Sequence, residues 1–125
     1  MSQWRKYAIE LFPEDSGAIS ADDRFGLGFL LSDKLVQSLQ SADYSCASKI
    51  IKYVLWLYSH SKKEESFLYF AQDVLRETVI RENLRSELWK SVADGDFELI
   101  STLCSGILQR DATKDLEREF RFTVR

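Results

Sequence analysis

The sequence predicts an all-α protein, a single compact domain of about five to seven helices packed around a central apolar helix at residues 44–60. Apolar residues recur at the helical spacing through most of the chain. The 125 residues include only one Pro and five Gly, too few for the many tight turns of an all-β chain. Since 45% of the residues are hydrophobic, we expect residues 1–125 to bury one core without disulfide or metal support.

The central helix gives the strongest of these signals, in the segment Ala47–Tyr58, which reads ASKIIKYVLWLY. Ile50, Ile51 and Val54 fall on one face, and apolar side chains occupy most of the other directions as well. A helix that is apolar nearly all round must be covered on nearly all sides, which predicts a central position. Asp43 stands where its side chain can cap the first turn.

Two helices are predicted before the central one. The first covers residues 3–12 and ends because Pro13 disfavours helical angles in the residue before it. Residues 14–18 then form a polar turn. Ser20 followed by Asp23 is similar to a capping box with Asp in place of Glu, and Ser20 opens a second helix over residues 21–40. A break of this helix at Ser32–Asp33 is left open.

Three further helices are predicted after the central one, over residues 64–82, 84–92 and 97–109. The last two are separated by the sequence Asp-Gly-Asp. Gly95 can adopt the left-handed conformation of a helix C-cap, and Asp96 can cap the helix that follows.

The apolar faces of these helices predict the core. Its members are Leu11, Phe25, Phe29, Ile50, Ile51, Val54, Leu57, Phe70, Val74, Leu88, Phe97, Ile100, Leu103 and Ile107. The sequence GLGF at residues 26–29 matches the carboxylate-binding loop of PDZ domains, but nothing else in the chain fits that small β-barrel. Gly26 and Gly28 instead predict a close helix crossing or a kink.

The C-terminal segment at 111–125 departs from the helical pattern, because apolar and polar residues alternate strictly over residues 120–125. Such alternation is typical of a strand. Three alternatives remain open for this segment: a strand that pairs with another chain, an extended or mobile arm, or a helix that the alternation conceals.

The charge of the chain is −3 and its isoelectric point is about 5.2, which disfavours a nucleic-acid-binding protein. Acidic residues cluster at predicted helix starts and loops, where they stabilise the positive end of a helix. The same carboxylates can instead form a negative face that binds a basic partner. The sequence alone does not decide between caps and binding residues.

Residue types that usually carry catalysis are scarce. His60 is the only histidine, and it lies beside two lysines with no partner in a recognisable catalytic spacing. Cys46 and Cys104 form no paired-cysteine motif, so we expect free thiols and no structural zinc. We therefore expect a protein that is not an enzyme and needs no cofactor or metal, although loop carboxylates holding a metal ion remain a third hypothesis.

The N-terminal residues MSQWRKYAIELFPED lack the apolar core of a secretory signal. The longest uncharged apolar run, Tyr53–Tyr58, is too short to span a bilayer. We therefore expect a cytoplasmic protein that binds neither membrane nor nucleic acid.

Three segments carry a family resemblance: the LFPED turn after the first helix, the end of the central helix at WLYS, and the DGDFELISTL segment. In these the chain resembles the small acidic helical immunity proteins of bacterial toxin–immunity pairs, such as those of contact-dependent growth inhibition. The resemblance implies a non-catalytic inhibitor that binds one toxin domain. The alternative is a helical adaptor or regulatory subunit of another cytosolic complex.

The expected partner is a toxin domain with a basic active-site surface, a nuclease for example, which the protein would occlude. A homo-oligomer is not indicated. Interface energy concentrates in aromatic residues surrounded by polar ones, so we predict contacts from loop acids and from aromatics beside the apolar stripes. The predicted partner-binding residues are Glu14, Asp15, Asp22, Asp23, Tyr44, Tyr69, Trp89, Asp94 and Asp96.

Overall fold

Eight α-helices make up most of the computed structural model, which describes residues 2–21, 23–60 and 65–124, with the backbone alone at 24, 25, 65, 66 and 124. They are α1 Gln3–Leu11, α2 Ser16–Ala21, α3 Arg24–Gln40, α4 Tyr44–His60, α5 Glu65–Ile80, α6 Glu82–Trp89, α7 Phe97–Leu108 and α8 Thr113–Val124. Short 3₁₀ turns at Pro13–Asp15 and Asp94–Asp96 lead into α2 and α7. The described residues contain no strand, so the all-α prediction is confirmed, with more helices than the five to seven expected.

The additional helices are α2 and α8. Residues 14–18, predicted to be a polar turn, instead form the 3₁₀ turn and the start of α2. The next helix consequently begins at Arg24, with Asp23 as its N-cap, and the Asp23 Oδ1 accepts a hydrogen bond of 2.9 Å from the Gly26 amide. The predicted cap was Ser20, which lies within α2, so both the capping residue and the start of this helix were predicted wrongly.

The central helix α4 has the predicted bounds, and the Asp43 Oδ1 accepts a hydrogen bond of 3.2 Å from the Cys46 amide. Its buried side chains point in several directions, as the apolar sequence requires: Ala47, Ile50, Ile51, Tyr53, Val54, Leu55 and Leu57. It packs against α1, α3 and α5. The helix α5 packs against α3, α4, α6 and α7, so α4 and α5 share the middle of the domain.

The crossing of α3 and α5 brings Gly28 against the ring of Phe70. A Cβ on Gly28 would lie 3.6 Å from that ring, an ordinary contact distance. A side chain would therefore fit at this position, so the contact between the two helices does not require a glycine. The helix α3 continues through Gly28 as one helix.

Most of the predicted core is buried, with three exceptions. Phe29 is 74% exposed, so its assignment to the core was wrong. Leu11 and Phe97 are half-buried and pack at the edge of the core. The side chain of Phe25 lies outside the described residues.

The C-terminal segment is a helix over its described residues. Of the three alternatives left open by its alternating sequence, this is the helix that the alternation conceals. Over α8, Leu116 and Phe120 are buried against the domain, while Phe122 is 86% exposed. The prediction of an extended or mobile tail at 111–125 is therefore wrong for Thr113–Val124. Across the described ranges, no helix combines the length and the apolar character needed to cross a membrane.

The turn between α6 and α7 also differs from its prediction. Gly95 does not adopt a positive φ, and the Asp96 side chain makes no capping hydrogen bond. The left-handed conformation occurs instead at Gln109, which ends α7 with φ 58°. The chain thus turns before α8 at a residue that the sequence did not mark.

Candidate functional site

A groove of about 1060 Å³ lies between α3 and α5 on the outside of the domain. Gly28 and Phe70 form part of its lining, at the place where the two helices are in contact. Its volume is at the upper end of the range for ligand pockets, which suits a large occupant better than a small molecule.

Two exposed aromatic side chains line this groove, Phe29 from α3 and Tyr69 from α5. They are 74% and 57% exposed. Fully burying a side chain of the size of Phe gives about 1.5–3 kcal/mol. A partner that covered both rings would therefore gain binding energy at this position, as is typical of interface anchors.

Charged side chains line the groove beyond the aromatics. Asp73 pairs with Arg76 at 3.4 Å, and Glu77 pairs with Arg81 at 3.4 Å. The side chains of both pairs are about half exposed, so each pair contributes little to stability and can rearrange. Asp33 also lines the groove and, within the part of the chain that the structure describes, has no ion-pair or hydrogen-bond partner.

The positions along the two helices place aromatic and acidic residues in successive turns. Asp33 lies four residues after Phe29 on α3, and Asp73 lies four residues after Tyr69 on α5. Residues four apart share one face of a helix. Each wall of the groove therefore presents an aromatic ring followed, one turn later, by a carboxylate.

Of the predicted partner-binding residues, Tyr69 lies in the groove, whereas Glu14 and Asp15 have a local ionic partner. The Lys34 Nζ on α3 lies 2.8 Å from the Asp15 Oδ2 and 3.2 Å from the Glu14 Oε1. A backbone hydrogen bond lowers the pKa of Glu14, with a smaller contribution from Lys34. The hydrogen bond that Lys34 donates to Asp15 raises the pKa of Lys34. These two acids tie the first 3₁₀ turn to α3.

The remaining predicted acids do not line the groove either. Asp23 caps α3, and Asp22 lies outside the described residues. Asp94 and Asp96 belong to the second 3₁₀ turn, before α7. The described acids are therefore spread over several elements near helix starts, where they also favour the positive helix end.

Trp89 was wrongly predicted as an exposed anchor, because it is completely buried. Its indole Nε1 donates a hydrogen bond of 2.8 Å to the Glu119 Oε1 on α8. Its ring packs edge-on against Phe97 and Phe120. The helix α8, which covers Trp89 in this way, was only one of three alternatives that the sequence left open for the C-terminal segment.

Tyr44 is half-buried at the start of α4. Its hydroxyl donates a hydrogen bond to the Glu87 carboxylate on α6, which also pairs with Lys90 at 3.1 Å. The hydrogen bond from Tyr44, and then that from Lys90, lowers the pKa of Glu87. Tyr44 therefore joins α4 to α6 and does not line the groove.

Phe29 and Asp33 were not predicted as site residues, although the helical periodicity of α3 contains the signal for Phe29. The stripe Leu27, Leu31 and Leu35 is completely buried and recurs every four residues. Phe29 stands two residues after Leu27, which places it on the opposite side of the helix. A stricter use of the period would have predicted an exposed Phe29.

Among the described residues, no group of three His, Cys, Asp or Glu side chains could hold a metal ion. The buried cysteine is not a reactive thiol either. Burial raises the pKa of the Cys104 thiol to about 12, so this side chain is protonated and unreactive at neutral pH. The lining of the groove consists mainly of aromatic, charged and amide side chains. Comparison of the chain with protein-family models, curated proteins and solved structures gives no match.

Proposed function

We propose that this protein is a non-catalytic binding protein, an immunity protein that neutralises a bacterial toxin domain by covering its active site. The observation that carries the proposal is the pair of exposed rings, Phe29 and Tyr69, in the groove between α3 and α5. Aromatic anchors surrounded by charged residues are typical of protein-binding surfaces. The sequence resemblance described above supports the choice of a toxin as the partner.

The charge of the protein supports the same class of partner. A net charge of −3 favours association with a basic protein, because complementary charge increases the association rate. Toxins that act on nucleic acids need a basic active-site surface to bind phosphate. An inhibitor of such a toxin would act in the cytoplasm, where the toxin meets its substrate.

Growth rescue tests the proposal. The toxin domain encoded beside the gene for this protein is expressed in a susceptible bacterial strain, with and without co-expression of this protein. We expect growth to stop with the toxin domain alone and to recover when this protein is present. Purified components should then form a complex, and the complex should lack the activity of the free toxin domain.

Surface variants locate the interaction. The double variant Phe29→Ala and Tyr69→Ala should lose rescue, because it removes both anchors. Phe122→Ala is the control, since Phe122 is an aromatic on α8 that is more exposed than Phe29 or Tyr69 and is not part of the groove lining. If this protein binds no toxin domain from its own locus, the immunity proposal is wrong. If it instead joins a stable complex without inhibiting a toxin, the protein is an adaptor.

A further inference from the structure

We infer that the groove between α3 and α5 receives an amphipathic helix of the partner, which carries an apolar anchor and, one turn away, a Lys or Arg. The anchor packs between Phe29 and Tyr69, and the cation pairs with Asp33. The inference rests on the proposed function for the identity of the partner but not for the chemistry of the binding segment.

The dimensions and the walls of the groove favour a helix as the occupant. On α3 the groove extends from Gly28 to Gln40, and at 1.5 Å per residue this is about 18 Å, or roughly three helical turns. Both walls are helices, and a third helix can pack its ridges into the channel between them. A peptide that binds by β-strand addition would need a free strand edge, and the described ranges contain no strand.

Among its described lining residues, the groove has one more carboxylate than guanidinium groups, which favours a cation on the partner. Each guanidinium that lines it already has a carboxylate within 3.4 Å, Arg76 with Asp73 and Arg81 with Glu77. Among the described residues, Asp33 is the lining carboxylate that has no ion-pair partner, and its side chain is exposed. A partner that covered Asp33 without supplying a cation would bury an unpaired charge, which is costly.

The spacing of the two features defines the pattern that the partner must carry. Because Asp33 follows Phe29 by one helical turn, a helix lying along the groove meets both when its own anchor and cation are three or four residues apart. A Lys or Arg in that position can also contact the faces of Phe29 and Tyr69. An acidic or uncharged helix satisfies only the apolar half of the site.

Selection from a peptide library tests this pattern without knowledge of the natural partner. The library displays helical peptides of about 14 residues, enough for three to four turns, with the residues on one face fully randomised. It is selected against the whole purified protein. We expect the enriched peptides to share an aromatic or large aliphatic residue followed or preceded by Lys or Arg at a spacing of three or four.

Binding by variants then assigns the contacts. For an enriched peptide measured by calorimetry, Asp33→Lys should weaken binding about tenfold and Phe29→Ala about thirtyfold. Glu10→Lys is the matched control for the charge change, because Glu10 is exposed on α1 and is not part of the groove lining. Glu10→Lys and Phe122→Ala should both bind like the unchanged protein.

Several outcomes would overturn the inference. These are enrichment of acidic peptides, equal binding by the Asp33→Lys variant, or no enrichment at all. Self-association of the protein that Phe29→Ala abolishes would show that a second copy occupies the groove. The growth-rescue experiment is independent, so rescue without the basic pattern refutes this inference alone. The basic pattern without rescue would refute only the toxin assignment.

Discussion

The hydrogen-bond cluster around Glu119 should be the main attachment of α8 to the domain. The Glu119 Oε1 accepts from the Trp89 Nε1 at 2.8 Å and from the Arg85 Nε at 3.0 Å, and the Oε2 accepts from the Arg85 Nη2 at 3.2 Å. The Arg85 Nη1 also donates to the Val79 carbonyl at 2.7 Å. The ion-paired side chains are only 13% exposed for Arg85 and 24% for Glu119. Replacing Glu119 therefore affects two donors that have little access to water.

The expected cost of Glu119→Ala is about 3 kcal/mol in the free energy of unfolding. Leaving the buried Trp89 N–H without an acceptor costs about 1–3 kcal/mol. Removing the partner of a fully buried charge costs about 3–5 kcal/mol. The cost for Arg85 is lower, because its guanidinium still donates a hydrogen bond to the Val79 carbonyl and is partly hydrated. Glu119→Gln retains an amide oxygen as acceptor but loses the charge, so its cost should be about 1–2 kcal/mol.

Urea denaturation followed by circular dichroism measures these differences, and thermal melting should show a decrease on the order of 10 °C for Glu119→Ala. Glu117→Ala is the matched control on the same helix. Glu117 pairs with Arg121 at 2.9 Å, but both side chains are about half exposed, so the change should cost less than about 0.5 kcal/mol. If Glu119→Ala is no more destabilising than Glu117→Ala, the cluster does not attach α8.

Three further predictions concern stability and reactivity. Val54→Asp should unfold the protein at neutral pH, because Val54 is completely buried and an unpaired buried charge costs several kcal/mol; an unchanged melting temperature would contradict the position of α4. Cys104 should react with a thiol reagent at about pH 8 only after unfolding, since burial raises its pKa to about 12, whereas the half-buried Cys46 should react faster; equal rates would contradict this. Lys34→Met should lower the melting temperature at neutral pH. The hydrogen bond with Asp15 raises the pKa of Lys34 above 10.5, so the Lys34 contribution is complete below pH 10.5 and is lost as the pH rises through the folded-state pKa. Melting at neutral and alkaline pH should therefore show a difference from the unchanged protein that shrinks at high pH, and a constant difference would refute the ion pair.

The predicted site and the observed groove overlap at one residue, Tyr69. The acids chosen from the sequence were those near helix starts. An acid that caps a helix, such as Asp23, cannot be distinguished in a sequence from an acid that binds a partner. Asp33 lies in the interior of α3, which continues through Ser32 and Asp33 without the break that the sequence left open. Among the described residues Asp33 has no ion-pair partner, and that depends on how the helices pack.

The C-terminal helix illustrates how a local pattern can mislead. Over residues 120–125 the strict alternation is typical of a strand, yet the backbone is helical through Val124. Phe120 is buried against Phe97, with ring centroids 4.5 Å apart, and Phe122 points away from the domain. Burial of Leu116 and Phe120, four residues apart, is the helical period, and it extends beyond the short window in which the alternation appears.

The sequence by itself determined the all-α fold class, the bounds of α4 and the existence of α5 and α7. Helical periodicity and local caps such as Asp43 are properties of residues that are close in the chain, so they can be identified without knowledge of the packing. The helical period of α3 also contained the exposure of Phe29, whereas only the tertiary structure decided that Trp89 is buried and that Phe29 and Tyr69 line one groove. Trp89 is covered by a helix whose Glu119 lies 30 residues away, and the groove beside Phe29 depends on the packing of Gly28 against Phe70. Which face of a helix remains exposed is set by such distant neighbours, and that is why the candidate site could not be read from the sequence.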